Sequence, residues 1–391
     1  MLAILILLVM ITIHEFGHYL AGKILKFRIN EFSIGFGPAI FKHKSRKSGE
    51  LFALRVIPLG GYCAFDGEDG LDDEEETSAA PVFEEEKQEE PEPPAAEAVK
   101  KPDGKTAGKF NEKKPWQRII VLVSGALMNY LLALFLIIVC FFAYGQTMIG
   151  VYKAAPAEEI PAEYCLQDGD IFLEAEGKSV FLSTDLASAV NGKKAGDMVN
   201  LRISRVVERF EDGTRRREEQ TVKIQLRADV KVKNSAELDG VWKALGVAYE
   251  DEVYQLGSGT YKFGFFETIG RSFLYSFKIA GSIFKVLGEL LTGNLGISAL
   301  GGPITTIKMT SQVASHSFRN FLEIASFIGV NLAVFNLLPI PALDGSKVVF
   351  TVIEWIRGKP ISRKVEAIIH AVGFVLLLGF AVLVDILQFV L

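Results

Sequence analysis

Apolar residues gather into four stretches, at 1–22, 119–144, 321–338 and 368–391, each near the ~20 residues that a hydrocarbon core requires. A fifth stretch, 263–291, is also apolar, but Glu267, Arg271, Lys278, Lys285 and Glu289 recur through it at spacings of four to seven. That spacing predicts an amphipathic helix lying against the membrane or the protein rather than a fifth span. Two short apolar segments, 32–41 and 51–63, flank the basic, Gly-containing 42–49 and predict a β-hairpin directly after the first span. Between the second and third spans, 150–226 carries Gly169-Asp170-Ile171-Phe172, a helical 185–190, an alternating 198–205, and a turn at Glu211-Asp212-Gly213-Thr214. This predicts a small β-rich module with one or two short helices, able to accept a peptide strand on an edge.

Charge adds orientation. No Lys or Arg precedes the first span, whereas Lys23, Lys26 and Arg28 follow it. Lys113, Lys114 and Arg118 precede the second span, and Arg357, Lys359, Arg363 and Lys364 separate the third from the fourth. The three clusters share one side if the N-terminus is outside, so the positive-inside rule predicts N-out, C-out and an extracytoplasmic 145–320. The net charge of −5 hides a division: 66–98 holds 15 acidic residues and one lysine, Lys87, so the rest of the chain is basic. With its prolines and few large apolar residues, 66–98 is expected to be a disordered cytoplasmic spacer. The mean hydropathy of +0.27 and 29 Phe in 391 residues fit a membrane protein with a soluble portion. Cys63, Cys140 and Cys165 are scattered and indicate neither a disulfide framework nor a cysteine metal site.

The first apolar stretch contains His14-Glu15-Phe16-Gly17-His18. Two His at i and i+4 lie on one helix face, where both imidazoles can reach one metal. Glu15 is then placed to take a proton from a water that the metal activates. Ionisable groups in a membrane-length segment are costly and usually functional. A signal peptide is the competing reading, but the run lacks a basic n-region, and His14, Glu15 and His18 interrupt the place of a cleavage site.

A catalytic zinc usually needs a third protein ligand, with a position left for water. The third span ends in Asn336-Leu-Leu-Pro339-Ile-Pro341-Ala-Leu-Asp344-Gly345, where two prolines at such spacing forbid a regular helix. Membranes allow such a break only where protein or a water cavity satisfies the freed backbone, so a carboxylate can approach a metal there. Asp344 is the candidate, against the plainer reading of Asp-Gly as a turn. The hairpin ends in Gly60-Gly61-Tyr62, whose strand edge could hold an extended substrate by backbone pairing or merely pack against the spans.

Taken together, these residues resemble the site-2 protease family of intramembrane zinc metalloproteases, in its bacterial form with a PDZ domain. The likeness covers nearly the whole chain. It runs through the His14-to-His18 helix, Pro58-Leu59-Gly60-Gly61-Tyr62, Phe110-Asn111-Glu112-Lys113 to Trp116-Gln117-Arg118, Asp168-Gly169-Asp170-Ile171, Gly301-Gly302-Pro303-Ile304, and Asn336 through Gly345. It implies His14, His18 and Asp344 as zinc ligands and Glu15 as general base. It also implies substrate binding by Gly60, Gly61, Tyr62, Asn336, Pro339 and Pro341.

The fold implied is a four-span α-helical polytopic membrane protein with a membrane-associated β-hairpin and an extracytoplasmic PDZ-like α+β domain. Its divisions would be 1–65 (zinc helix and β-loop), 66–112 (acidic loop), 113–145 (second span), 146–230 (PDZ), 231–320 (amphipathic helix and connector) and 321–391 (last two spans). The expected place is the bacterial cytoplasmic membrane. Expected partners are the lipid bilayer and single-span proteins already cut outside, such as anti-sigma factors, with signal-peptide remnants as further substrates and no nucleic acid. Two features depart from the family pattern: Gly125-Ala126 stands where Gly-Pro usually precedes Asn129, and the acidic 66–98 has no usual counterpart. A different class, a catalytically silent receptor that holds peptides on its PDZ domain, is countered by the intact Glu15, because a structural zinc site needs no base.

Overall fold

The computed structural model describes residues 2–46, 48–68, 108–157, 160–210, 215–296 and 301–390, with the backbone alone at 58, 59, 363, 389 and 390. The acidic stretch beyond residue 68 and the turn at 211–214 lie outside the described residues. Among the described residues, four helices are long and apolar enough to cross a membrane, Leu2–Ile24, Pro115–Tyr144, Phe318–Leu337 and Lys364–Gln388. The chain is a multi-pass membrane protein with a β domain, as the hydropathy pattern predicts.

The chain forms two compact units, one of 3–129 with 335–378 and one of 130–334 with 379–391. In the first, helix α1 (Leu2–Ile24) leads into strands β1 (Ile29–Lys44) and β2 (Leu51–Phe65) and then the first half of helix α2 (Pro115–Tyr144). Small residues set the α1–α2 approach. A Cβ added to Gly17 would lie 2.4 Å from the Ser124 carbonyl oxygen, so only glycine lets the backbones meet. Phe27, Phe65 and Phe110 pack with Val121 and Leu122 where the strands meet α2.

The predicted hairpin is longer than expected and doubles back on itself. Residues 31–34 pair antiparallel with 61–64 and, in a register where numbers rise together, with 51–54; the latter also face 41–44. Two β strands therefore make a four-segment sheet, bent where Gly35 and Gly37 take φ of +86° and +83°. Segment 61–64 is left with one ladder neighbour among the described residues.

In the second unit, a sheet runs in the order β10 (Leu256–Tyr261), β3 (Gln146–Val151), β4 (Ile171–Ala175), β6 (Met198–Arg209), β7 (Arg215–Gln225), with β5 (Lys178–Ser179) on β4. Helices α3 (Ser183–Val190) and α4 (Asp239–Leu245) close its core, around Phe172, Leu186, Leu201, Ile203 and Trp242. The β domain thus draws in residues past 230, because β10 completes the sheet on β3 and α4 fills its core. Strands β8 (Tyr249–Glu250) and β9 (Val253–Tyr254) form a small ribbon before β10.

Helix α5 (Phe265–Leu291) is the predicted amphipathic helix, but its first half buries polar side chains and exposes phenylalanines. Its buried side carries Thr268, Arg271, Ser272 and Ser276 along the first half and Ile279 and Ile283 along the second, while Phe266, Phe273, Phe277 and Phe284 are exposed. Arg271 fastens it to the β domain: Nε donates to Gln146 Oε1 at 2.7 Å and Nη2 to the Val180 carbonyl at 3.2 Å. The guanidinium lies over the rings of Phe263 and Phe181, at 4.0 and 4.7 Å from their centroids. Helix α6 (Pro303–His316) starts on Gly302 and Pro303, and its Ile304 N–H donates to Asp385 Oδ2 at 3.1 Å. Helices α7 (Phe318–Leu337), α8 (Asp344–Arg357) and α9 (Arg363–Val390) complete the chain.

Candidate metal centre

Helical spacing brings His14 and His18 together on the buried side of α1, at 8% and 7% exposure. Their rings meet edge to face with centroids 4.7 Å apart. His18 Nδ1 lies 2.8 Å from the Val121 carbonyl oxygen. A carbonyl can only accept, so Nδ1 carries the hydrogen and Nε2 keeps its lone pair. The partner that fixes the tautomer is thus main chain of the neighbouring span.

The chain break after α7 delivers the third group. Pro339 and Pro341 have no N–H to continue the helix. The segment tightens through Ile340 N–H to Leu338 O at 2.7 Å and Leu343 N–H to Ile340 O at 3.1 Å, with Ala342 at φ +75°. Asp344 then opens α8, a helix where a turn was the simpler expectation. Gly345 is required there. A Cβ on it would sit 2.3 Å from the Leu338 carbonyl oxygen, so any side chain would push Asp344 away from α1.

Asp344 Oδ2 lies 2.9 Å from His14 Nε2 and 3.3 Å from His18 Nε2, and the two Nε2 atoms are 3.1 Å apart. Among the described residues, these three form the group of ligand atoms that one metal ion could take. Tetrahedral zinc with bonds near 2.0–2.1 Å holds its donor atoms about 3.3 Å apart, close to this triangle. The donor set of two neutral imidazoles and one carboxylate is that of a catalytic zinc with an open position. These residues fit zinc.

Glu15 stands beside this triangle, its side chain against β2. A Cβ on Gly61 would lie 3.2 Å from Glu15 Cγ and 2.9 Å from the Ser33 carbonyl, and the Cys63 main chain hydrogen-bonds the Glu15 carboxyl. Burial, with the Glu15 carboxylate close by, pushes the Cys63 thiol well above its ordinary value, so it stays protonated. The Asn336 amide is 3.4 Å from His14 Nδ1.

Of the residues read from the sequence, His14, Glu15, His18, Gly61, Asn336 and Asp344 gather at one place. The others stand apart from it. Tyr62 accepts from Arg55 Nη2 at 2.9 Å and stacks on Phe36, and Gly60 presses on the same ring. Pro339 is exposed, and Pro341 packs on Gly373 of α9.

Gly125 of α2 carried no role in the sequence reading. A Cβ there would fall 2.4 Å from His18 Nε2 and 2.8 Å from His14 Cε1. The glycine makes room for both imidazoles. The Val121 carbonyl was equally invisible, because every residue has one.

A metal-ligand triangle with two of its three groups on a membrane-length helix is the arrangement of a membrane metalloenzyme. The chain belongs to peptidase family M50, the site-2 proteases, whose model matches residues 2–380. A zinc metalloprotease of Clostridium perfringens, so named, is 30% identical over 98% of this chain and 96% of its own. The zinc metalloprotease RasP of Bacillus licheniformis is 27% identical over 96% of this chain and 94% of its own. Regulator of sigma-W protease RasP of Bacillus subtilis is 27% identical over 94% and 93%. The protein is a zinc-dependent metalloprotease.

Because Gly125 touches both imidazoles, Gly125→Ala must move them. Zinc affinity should fall at least tenfold, the scale seen when groups that orient ligands are disturbed, while membrane insertion is kept. Chelator titration of detergent-purified protein measures this, and an affinity equal to wild type would remove Gly125 from the centre.

Proposed function

We propose that this protein cleaves peptide bonds inside the membrane spans of single-span proteins, with His14, His18 and Asp344 holding zinc and Glu15 as general base. The observation that carries the proposal is the 2.9–3.3 Å triangle of donor atoms beside Glu15, with two of the three ligands on a membrane-length helix. Zinc bound there supplies Lewis acidity, activating a water and polarising the scissile carbonyl. The chain's own residues do the rest. The Val121 carbonyl orients the His18 imidazole by accepting from its Nδ1–H. Glu15 accepts the proton of the attacking water and returns it to the leaving amide nitrogen.

A helical substrate offers no free carbonyl, because each is closed by an internal hydrogen bond. It must unwind before it is cut. Segment 61–64, with one ladder neighbour and with Gly61 against Glu15, offers backbone groups that can take up an unwound strand. Gly60 and Tyr62 shape this loop, and Asn336, Pro339 and Pro341 form the substrate side of the broken third span.

The β domain is a PDZ domain on the extracytoplasmic side, in an N-out, C-out protein of the bacterial cytoplasmic membrane. The basic residues Lys23, Lys26, Arg28, Lys113, Lys114 and Arg118 support that orientation. Substrates are membrane proteins already shortened outside, anti-sigma factors above all, together with signal-peptide remnants; the Bacillus subtilis relative is named for regulating sigma-W.

Asp344→Asn keeps size and removes charge, whereas Glu15→Gln leaves every ligand in place. Asp344→Asn should lose both zinc and proteolysis by more than tenfold; Glu15→Gln should keep zinc and lose proteolysis by at least a hundredfold. Metal analysis beside cleavage of a reconstituted membrane peptide checks both, and full zinc with full activity in Asp344→Asn would move the third ligand elsewhere.

Orientation is tested separately by single-cysteine labelling of intact cells. An impermeant reagent should reach position 211 and not position 85; labelling of position 85 would invert the topology.

A further inference from the structure

Asn129 is buried in α2 at 1% exposure, and neither Nδ2 nor Oδ1 has a hydrogen-bond partner. Burying an amide with both groups unpaired is destabilising, so an apolar side chain of similar size would serve a purely structural position better. Its place in the helix makes it more than a packing defect. It lies one helical turn, about 6 Å, beyond Gly125 on the same face. Helical side chains lean toward the helix N-terminus and cover the preceding turn, so Asn129 leans over Gly125. Gly125 has no side chain of its own, and it is where the imidazoles of His14 and His18 rest.

We propose that Asn129 binds the main chain of the unwound substrate segment beside the metal centre. An asparagine amide carries the same donor and acceptor pair as a peptide group. An unwound stretch brings peptide N–H and C=O groups that have lost their helical partners and find no water in the hydrocarbon. Pairing the two satisfies both at once and ignores side-chain identity, which suits an enzyme that accepts spans of different sequence. The inference rests on the proposed intramembrane cleavage and adds to it a group that favours extended over helical peptide.

The test is Asn129→Leu in the full-length protein, reconstituted with a membrane peptide. Zinc content should match wild type, and the melting temperature should be equal or higher, because a buried unpaired amide is removed. KM should rise roughly tenfold, the scale of one lost hydrogen bond, with kcat within about twofold, since main-chain binding acts on substrate and transition state alike. In a Glu15→Gln background, the same change should weaken binding of the uncut peptide by a similar factor.

An unchanged KM at intact zinc and melting temperature would overturn the inference. So would loss of zinc, which would make Asn129 a support of the ligands. If Asn129→Leu does not accumulate, Asn129→Ser is read in the same way. Wild type with and without chelator runs alongside: absence of metal-dependent cleavage in wild type defeats the protease proposal itself, whereas normal wild-type cleavage with a normal Asn129 variant defeats this inference alone.

Discussion

Two imidazoles and a carboxylate, buried where helices are otherwise apolar, can persist only if they satisfy one another and a cation. Leaving one such charge without its partner costs several kcal/mol. The residues come from positions 330 apart in sequence, yet their donor atoms lie within 3.3 Å. Much of the local architecture follows from that requirement. The third span must stop, the chain must turn at two prolines, and the next helix must open on Asp344 with a glycine directly behind it.

Close approach is obtained by omitting side chains. Gly17 lets α1 meet the backbone of α2, Gly125 leaves space for the imidazoles, Gly345 lets α8 fold onto the end of α7, and Gly61 seats β2 on Glu15. Each contact is with backbone, a ring or the Glu15 side chain, none of which can yield without moving the centre. A metal bound in this setting would hold together helices that gain nothing from a hydrophobic driving force between them in lipid.

Much of this was legible in the sequence, for physical reasons. Bilayer thickness fixes span length, so 119–144 and 368–391 could be read by counting apolar residues. Helical periodicity puts His14 and His18 on one face, and the proline pair marks the break that frees Asp344. Other features depend on partners distant in the chain. The doubling of β1 and β2 requires knowing which backbone edges meet, and alternation alone cannot supply that. The β10 strand lay beyond the expected boundary because strand pairing, not composition, joins it to β3. Helix α5 shows amphipathic spacing either way round, and only the structure reveals that Arg271 points inward while its phenylalanines face out. The Val121 carbonyl carries no signature, being main chain, and the family pattern that includes Gly125 does not say that its role is to leave room for the imidazoles.

X-ray absorption at the zinc edge of the purified, active protein would read the ligand set directly. Two imidazole nitrogens and two oxygens near 2.0–2.1 Å are expected, one oxygen from Asp344 and one from water. Outer-shell scattering should show two rings, falling to one in His18→Ala. A sulfur shell near 2.3 Å, or two-ring scattering unchanged in His18→Ala, would contradict a zinc held by His14, His18 and Asp344.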